Sequence, residues 1–591
     1  MMKDGCLIDY ITGAEVKATP EEMQAVQPFA KMLVEDYGYP KELITTHPQY
    51  RVKVRPSDTK KEYPVDIAVF SATQKSDDDI YIVVECKKKT RKDGRSQLED
   101  YLRFCKAQLG VWYNGEERFF LRKYEVDGQV KFEEIPNIPK YGQRLEDIGK
   151  FRRCDLKPTH NLKSTFKAIR NHLAANTVGA TRDEVLAQQL INIIFCKIYD
   201  ERFTEPEDIV SFRAGVNEAP SDVKKRLLDL FDKVKRKYKE VLDKEDNISL
   251  DADSIVYVVG ELQNFCLIEA ERDSVADAFE TFIDHALKGG QGQFFTPRNV
   301  VRMMVDILDP SDEDYIIDPS CGSGGFLVET LRYIWKKLDS EGERYHWNAA
   351  NLKEEKMEVA LNKLCGIDKD YFLSKVAKAY MAILGDGKSG IFCEDSLDMP
   401  SNWQDKTRIK IGTGKFSILL TNPPFGSKIP VRGEDKLKQY DLAYKWQKNK
   451  SGVWEKGKLK EKESPQVLFI ERDVQLLADY GRMAIVLPDG VFGNDTFGYI
   501  RHWLKEQGRI LAIIDIPVET FQPNTSTKTS ILVFQKLPKE EIPEDYDIFM
   551  AIASTCGHDR RGNETESDEI QLVATEYKKW AIEQGLIPQE G

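Results

Sequence analysis

This sequence predicts an α/β protein with a helical stretch in its middle, and three observations carry that prediction. Near the N-terminus, short β-branched and aromatic runs at 50–55, 65–70 and 80–86 alternate with helical patterns at 28–37 and 96–108. Between 146 and 290, apolar residues recur at helical spacing, most densely at 186–199. From 315 onward, strand-like runs end in polar residues and feed helices, the first through a glycine-rich turn. Strand–helix repetition of that kind marks a parallel sheet covered by helices. The segments expected are therefore 1–145, 146–290, 291–540 and a short C-terminal piece, 541–591.

Composition narrows the class. The chain has 591 residues, 41% of them hydrophobic, with a net charge of −12. An acidic chain of this kind meets nucleic acid through local basic patches or through a partner. The ten cysteines are scattered, with no CxxC pair and no histidine cluster beside them, which points to a reducing compartment and away from a zinc site. The first residues lack the apolar core of a signal peptide. No stretch reaches the roughly 18 apolar residues of a membrane span. The expectation is a cytoplasmic protein with no membrane partner.

In the first segment the chemistry sits in Pro64-Val-Asp66 and Val84-Glu-Cys-Lys87. Asp66 opens one strand. Glu85 and Lys87 stand two apart on the next and so share a face. Carboxylates on adjacent strands can hold a hard divalent cation, which activates water and stabilises charge on phosphate. The same residues also read as an ordinary surface ion pair. A helix follows with Gln97 and Tyr101 four apart on one face, and then two strands flank a hairpin turn at Asn114-Gly115. Together, Asp66, Glu85, Lys87, Gln97 and Tyr101 resemble the PD-(D/E)xK nuclease fold, and more narrowly the N-terminal nuclease domain of type I restriction motor subunits. That resemblance implies Mg²⁺ held by Asp66 and Glu85, Lys87 beside it, and Glu35 on the first helix as a further acidic residue. One departure matters. There is no GxxxxGK[ST] phosphate loop, so no ATP-driven translocation is assigned to this chain.

The middle segment carries no catalytic constellation. Helices are expected at 186–199, 221–243 and 274–287, forming a helical packing or interaction domain.

The third segment opens with Gly289-Gly-Gln-Gly-Gln-Phe-Phe-Thr-Pro-Arg298 ahead of a helix at 299–308. Thr296 is suited to N-cap that helix, with Pro297 at its first position. Next, Tyr315-Ile-Ile-Asp-Pro-Ser-Cys-Gly-Ser-Gly-Gly-Phe-Leu327 is a strand, a glycine turn and a helix start, as in the first βα turn of a doubly wound sheet. The turn is not GxGxxG, and Asp318 ahead of it favours a cationic, amine- and hydroxyl-bearing ligand over pyrophosphate. S-adenosylmethionine fits that better than NAD. Asp368 ends the second strand, where an acid takes ribose hydroxyls. Asp395 follows the third and can accept from an adenine amino group.

The fourth strand stops at Asn422-Pro-Pro-Phe425. Prolines cannot donate to a ladder, so Asn422 is held at a strand tip with Phe425 beside it. Alone, this is also what a strand end with a proline turn looks like. As the fourth polar strand end in a row, it reads as a pocket for a planar amine. Between 428 and 462 an insertion carries eleven Lys or Arg against five Asp or Glu, with Trp446 and Trp454 interleaved. A DNA-contacting loop and a solvated loop both read this way.

Phe295-Thr-Pro297, Asp318 to Leu327, Gly366-Ile-Asp-Lys-Asp370, Glu394-Asp-Ser-Leu397 and Asn422 to Phe425 occur in the order of the gamma-type DNA N6-adenine methyltransferases. The runs 481–493 and 525–534 look like the type I restriction-modification methylation subunit. The resemblance implies a Rossmann-like S-adenosylmethionine-dependent methyltransferase domain. Thr296, Asp318, Gly322, Gly324, Asp368 and Asp395 would hold the cofactor. Asn422, Pro423, Pro424 and Phe425 would hold the target adenine, with Phe492 as a second ring. It further implies double-stranded DNA as substrate, a separate specificity subunit docked on the C-terminal segment, and a hetero-oligomer with two copies of this chain. The function expected is adenine N6 methylation within a restriction-modification system, joined by Mg-dependent DNA cleavage in the N-terminal domain. Three alternatives use the same residues: an N-terminal domain that only binds DNA, a non-catalytic DNA-binding scaffold, and an RNA or protein methyltransferase.

Overall fold

The computed structural model describes residues 5–53, 63–91, 93–126, 128–158, 162–176, 183–239, 242, 245–268, 296–384, 390–426, 429–522 and 525–587. The expected helix at 274–287, the Gly289 to Phe295 run and Lys428 lie outside the described residues. Backbone contacts divide the chain into two compact units, residues 1–237 with 244–288, and residues 238–243 with 289–591.

In the first unit α1 (Gln27–Glu35) precedes β1 (Ile44–Thr45), β2 (Ile67–Phe70) and β3 (Ile80–Cys86). Then come α2 (Arg95–Phe104), β4 (Leu109–Tyr113), β5 (Arg118–Val126) and β6 (Gln129–Ile135). They form one six-stranded sheet in the order β6-β5-β4-β3-β2-β1. The β3–β4 pair is parallel, because α2 is the crossover between them. The strand period of two sorts the core. Ile67 and Val69 pack with Phe29 and Leu33 of α1, whereas Ala68 and Phe70 pack with Leu98 and Leu102 of α2. The connection at Asn114 is four residues rather than two. Asn114 Oδ1 accepts from the backbone of Glu116 and Glu117, and Gly115 adopts a φ of +86°.

The same unit contains α3 (Leu162–Asn176), α4 (Asp183–Phe203), α5 (Pro220–Lys237) and α6 (Ala252–Leu262). α5 buries Val223, Leu227, Leu230, Phe231 and Val234, a stripe at three- and four-residue spacing, and turns its lysines outward.

The second unit begins with α7 (Arg298–Leu308), β7 (Ile316–Asp318), α8 (Gly325–Arg344), β8 (Leu364–Asp368), α9 (Tyr371–Leu384), β9 (Ile391–Cys393) and β10 (Phe416–Thr421). The insertion supplies β11 (Val431–Arg432), β12 (Tyr444–Lys448), β13 (Trp454–Leu459) and β14 (Lys462–Glu463). After it come α10 (Pro465–Leu476), β15 (Leu477–Pro488), α11 (Gly498–Lys505), β16 (Gly508–Asp515), β17 (Thr529–Lys536), β18 (Phe549–Ile552) and α12 (Ile570–Glu583).

The main sheet has eight strands in the order β9-β8-β7-β10-β15-β17-β16-β18. β7 pairs parallel with β8 on one side and with β10 on the other. β17 runs antiparallel to both its neighbours. The strand order therefore reverses beside β7, and the carboxyl ends of β7, β8, β9 and β10 open on one edge. In a doubly wound sheet that edge is where ligands bind. The Rossmann-type α/β core expected for the third segment is present. No helix among the described residues is long and apolar enough to cross a membrane.

Candidate functional site

At the carboxyl edge of the main sheet, β7 delivers Asp318 into a fully buried position because Ile316 and Ile317 ahead of it are core residues. Its Oδ1 accepts from the Thr421 hydroxyl at 2.8 Å and from Ser320 N at 3.1 Å. Burial raises its pKa to about 7, against the opposing pull of those two donors. The turn that follows needs left-handed backbone at Gly322 (φ +51°) and Gly324 (φ +90°). A Cβ at Gly322 would meet nothing within 4 Å, so the turn leaves open room beside its backbone.

Asp368 ties the second strand end to this turn. Its Oδ2 accepts from Gly322 N at 2.9 Å, and its Oδ1 from Asp370 N at 2.8 Å. The two acids expected to face a cofactor thus also build the turn that would hold it. Asp395 stands at the third strand end, its Oδ1 on Leu397 N at 3.0 Å and its Oδ2 on Lys436 Nζ at 2.6 Å. That lysine comes from the insertion, and nothing in the sequence paired it with Asp395.

At the fourth strand end Asn422 donates its Nδ2 to Thr296 Oγ1 at 3.0 Å. Its Oδ1 is buried and has no hydrogen-bond partner among the described residues. A buried amide oxygen without a donor costs about 1–3 kcal/mol, so a donor that reached Asn422 Oδ1 would stabilise it. Phe425 is half-buried and stacks on no ring among the described residues. Pro423 is buried and Pro424 half-buried, which holds the loop rigid. Phe492 packs against the core cluster that contains Val491 and Ile485.

Thr296 differs from its expected part. Pro297, not Thr296, occupies the N-cap position of α7, and it makes no side-chain cap. The Thr296 hydroxyl lies one residue further out, where Asn422 uses it as an acceptor. The partner is 126 residues away in sequence, so a local capping rule could not find it.

A separate cluster lies in the first unit. Asp66 sits in a bend between Val65 and β2 rather than opening the strand. Its Oδ2 accepts from Cys86 N at 2.6 Å and its Oδ1 from Gln49 Nε2 at 3.2 Å. The Lys87 ammonium bonds Glu85 Oε1 and lies 3.3 Å from Gln97 Oε1. Gln97 donates to the Tyr101 hydroxyl, which donates to Pro64 O at 3.1 Å. The structure therefore brings together Asp66 from the bend before β2, Glu85 and Lys87 from the end of β3, and Gln97 and Tyr101 from α2. Burial raises the proton affinity of both carboxyls, with the charge of Glu85 adding to it at Asp66 and the Lys87 contact opposing it at Glu85. Two carboxylates that resist ionisation together are a donor set that a divalent cation relieves.

Glu35 takes no part in this cluster. It accepts from the Tyr10 hydroxyl at 3.0 Å and pairs with Lys31. The acid whose charge acts on Asp66, Glu85 and Lys87 is half-buried Glu21, which no sequence signal singles out. Which turn of a helix faces a sheet edge is set by docking, not by residue type. Another set with metal-capable spacing, Asp9, Glu22 and His47, brings its ligand atoms within 4.8 Å of one another. There the Gln27 amide bridges Asp9 and Glu22, and the Thr12 and Thr46 hydroxyls bond Asp9; against burial, these bonds hold the Asp9 carboxyl below its ordinary pKa, whereas burial holds Asp66 and Glu85 above theirs.

A family model described as N-6 DNA Methylase matches residues 270–587, and one described as Type I restriction enzyme R protein N terminus (HSDR_N) matches residues 20–139. The chain is 28% identical over 277 residues to the type I restriction enzyme EcoEI methylase subunit of Escherichia coli, covering 46% of this chain and 48% of that one. It is 25% identical over 443 residues to the MjaVII methylase subunit of Methanocaldococcus jannaschii, covering 71% and 69%. The chain thus spans about half the length of the Escherichia coli relative. Among solved structures, a type I restriction-modification methyltransferase subunit from Streptococcus thermophilus superposes with a TM-score of 0.46 at 17% identity, covering 72% of this chain and 94% of that one.

Proposed function

We propose, since this chain belongs to the N-6 DNA methylase family, that it methylates the N6 amine of adenine in double-stranded DNA. It would do so as the gamma-type modification subunit of a type I-like restriction-modification system, with a separate specificity subunit docked on residues 541–591 and two copies of this chain in the complex. The observation that carries this reading is the buried Oδ1 of Asn422, which has no hydrogen-bond partner among the described residues.

Asp318, Gly322, Gly324 and Asp368 fit S-adenosylmethionine, since open space lies beside the glycine turn and an acid stands on each flanking strand end. When bound there, the cofactor supplies an electrophilic methyl on sulfonium. The chain's own part is to make a poor nucleophile attack. The adenine amine is flat because its lone pair is delocalised into the ring. Asn422 Oδ1 and the Pro423 carbonyl accept its two N–H groups and draw the nitrogen toward tetrahedral geometry, which localises the lone pair. Thr296 fixes the amide so that this orientation costs no reorganisation. The base must leave the duplex to reach the loop, and Phe425 gives it a face to stack on.

Asn422→Ala is expected to lower transfer of labelled methyl to DNA by at least about 10²-fold, in the range of a missing transition-state acceptor. S-adenosylmethionine binding by calorimetry should survive. Loss of cofactor binding in that variant would place Asn422 in the wrong pocket, and methyl transfer to RNA or protein instead of DNA would change the substrate class.

A second activity is favoured by the joined set Asp66, Glu85, Lys87, Gln97 and Tyr101. We propose that the first unit binds Mg²⁺ through Asp66 and Glu85 and cleaves unmethylated DNA. The metal would supply an activated water and neutralise phosphate charge. Lys87, held between Glu85 and Gln97, would orient that water. Lys87→Ala should abolish Mg²⁺-dependent cleavage in the assembled complex while leaving methyl transfer intact. Absence of Mg²⁺-dependent cleavage by the unchanged complex would leave the first unit a DNA-binding module, and cleavage that persists in the variant would place the cutting elsewhere.

A further inference from the structure

The insertion between β10 and α10 is ordered around a two-stranded base and a hairpin. β11 pairs with β14 at the base, and β12 pairs with β13 above it. Trp446 and Trp454 lie 6.3 and 6.1 Å from the ring of Tyr499 on α11, and Lys460 donates to the Tyr499 hydroxyl at 3.1 Å. A loop that merely floats in solvent does not set two tryptophans against a core.

α10, which follows the base directly in the chain, borders the Asn422 loop. Gly426 N donates to Gln466 Oε1 at 3.2 Å, and β11 begins six residues after Phe425. Six residues reach at most about 21 Å.

Of the described cations on this insertion, Lys448 stands over the Trp454 ring, and the others sort into two groups. Lys436, Lys438, Lys456 and Lys460 are ion-paired, with Asp395, Asp435, Asp441 and Glu463 respectively. Arg432, Lys445, Lys450, Lys458 and Lys462 have no acidic partner among the described residues, and all five are exposed. The register then sets Arg432 directly opposite Lys462. Like charges facing each other across a strand pair repel, at a cost of a few tenths to about 1 kcal/mol. An anion between them reverses the sign. Excess cation on a chain whose net charge is −12 is a local feature with a polyanion as its complement.

We infer that this hairpin is an arm that contacts the phosphate backbone of the double-stranded DNA carrying the target adenine. Arg432 and Lys462 share one phosphate near the flipped base, and Lys445, Lys450 and Lys458 contact the backbone further along. The arm rests on the methyltransferase reading and gives it something that reading lacks, a sequence-independent grip on the duplex supplied by this chain itself.

Salt dependence tests it, because each phosphate that a cationic side chain neutralises releases a counterion. Binding of the full-length chain to a labelled duplex is measured between about 50 and 200 mM salt. The proteins compared are the unchanged chain, the double variant Arg432→Gln with Lys462→Gln, and the triple variant Lys445→Gln, Lys450→Gln and Lys458→Gln. The slope of log K against log salt should become shallower by about 0.9 for each phosphate no longer neutralised. Lys445→Arg, Lys450→Arg and Lys458→Arg together should keep the original slope, which separates charge from folding. S-adenosylmethionine binding should be equal in all of them. Unchanged slopes in both Gln variants would overturn the arm and leave the methyltransferase reading standing, as would an unchanged chain that fails to bind the duplex at 50 mM salt. A chain that binds duplex through the arm but never binds S-adenosylmethionine would keep the arm and remove the reading beneath it. An effect confined to single-stranded RNA would overturn the choice of DNA.

Discussion

Asp473 shows how one residue can carry a cost that its surroundings do not explain. It lies on α10, is fully buried, and neither of its carboxylate oxygens has a hydrogen-bond partner among the described residues. Burial, with the charge of Asp318 added, raises its pKa well above that of a free carboxyl, against the opposing charge of Arg472. Arg472 spends one guanidinium nitrogen on Asp398 O, Gln439 and Tyr440 instead. The direction for stability follows. The unfolded carboxyl ionises near about 4, whereas the folded one keeps its proton to higher pH. Across that window the native state binds more protons, so the residue's contribution to stability falls as pH rises, by up to about 1.4 kcal/mol per pH unit. Asp473→Asn should therefore gain stability relative to the unchanged chain between pH 5 and 8, read by urea denaturation. A difference that stays flat with pH would mean the carboxyl finds a partner. At the same scale, the sequence displayed Asn422 and Phe425 plainly, because two prolines after an apolar run have few other uses. It did not display the partners. Thr296 for Asn422, Lys436 for Asp395 and Glu21 for the Asp66, Glu85 and Lys87 cluster all come from distant chain.

Between elements, α6 and the six-stranded sheet are joined by contacts that no local pattern announces. The Arg118 guanidinium at the start of β5 pairs with Glu261 on α6, both side chains almost wholly buried. Beside them the Tyr257 hydroxyl donates to Arg118 O at 3.2 Å, and Asn137 Nδ2 donates to Gly260 O at 2.9 Å. A Cβ at Gly260 would meet Pro136 O at 2.4 Å, so the close approach of helix to loop needs that glycine. Arg118→Met alone leaves Glu261 charged and buried and should cost about 3–5 kcal/mol, seen as a lower denaturation midpoint of the first unit. Arg118→Met with Glu261→Leu should recover most of that stability. A double variant as unstable as the single one would show that the pair contributes more than it costs to bury. Elements themselves were legible where the local pattern was strong, as in β3, α2 and β8. They were less legible where hydrogen-bond chemistry bent the chain, as at Asp66 and at the four-residue Asn114 connection.

At the scale of the molecule, the order of motifs along the chain determined a great deal. A glycine turn after the first strand, acids at the next two strand ends and Asn422 to Phe425 at the fourth already define one sheet edge. These are local signals, because a strand end, a tight turn or a helix start depends on its immediate neighbours. Tertiary structure alone decided the rest. It set the strand order in which β7 lies between β8 and β10, so that Asp318 and Thr421 meet. It turned the basic insertion into a hairpin seated on Tyr499. It also left one oxygen of Asn422 without a donor among the described residues. Each of these joins residues many positions apart, and such contacts are selected by how whole elements pack once the loops between them close. Composition and spacing list the groups a site needs; only packing determines which of them face one another and which are left waiting for a ligand.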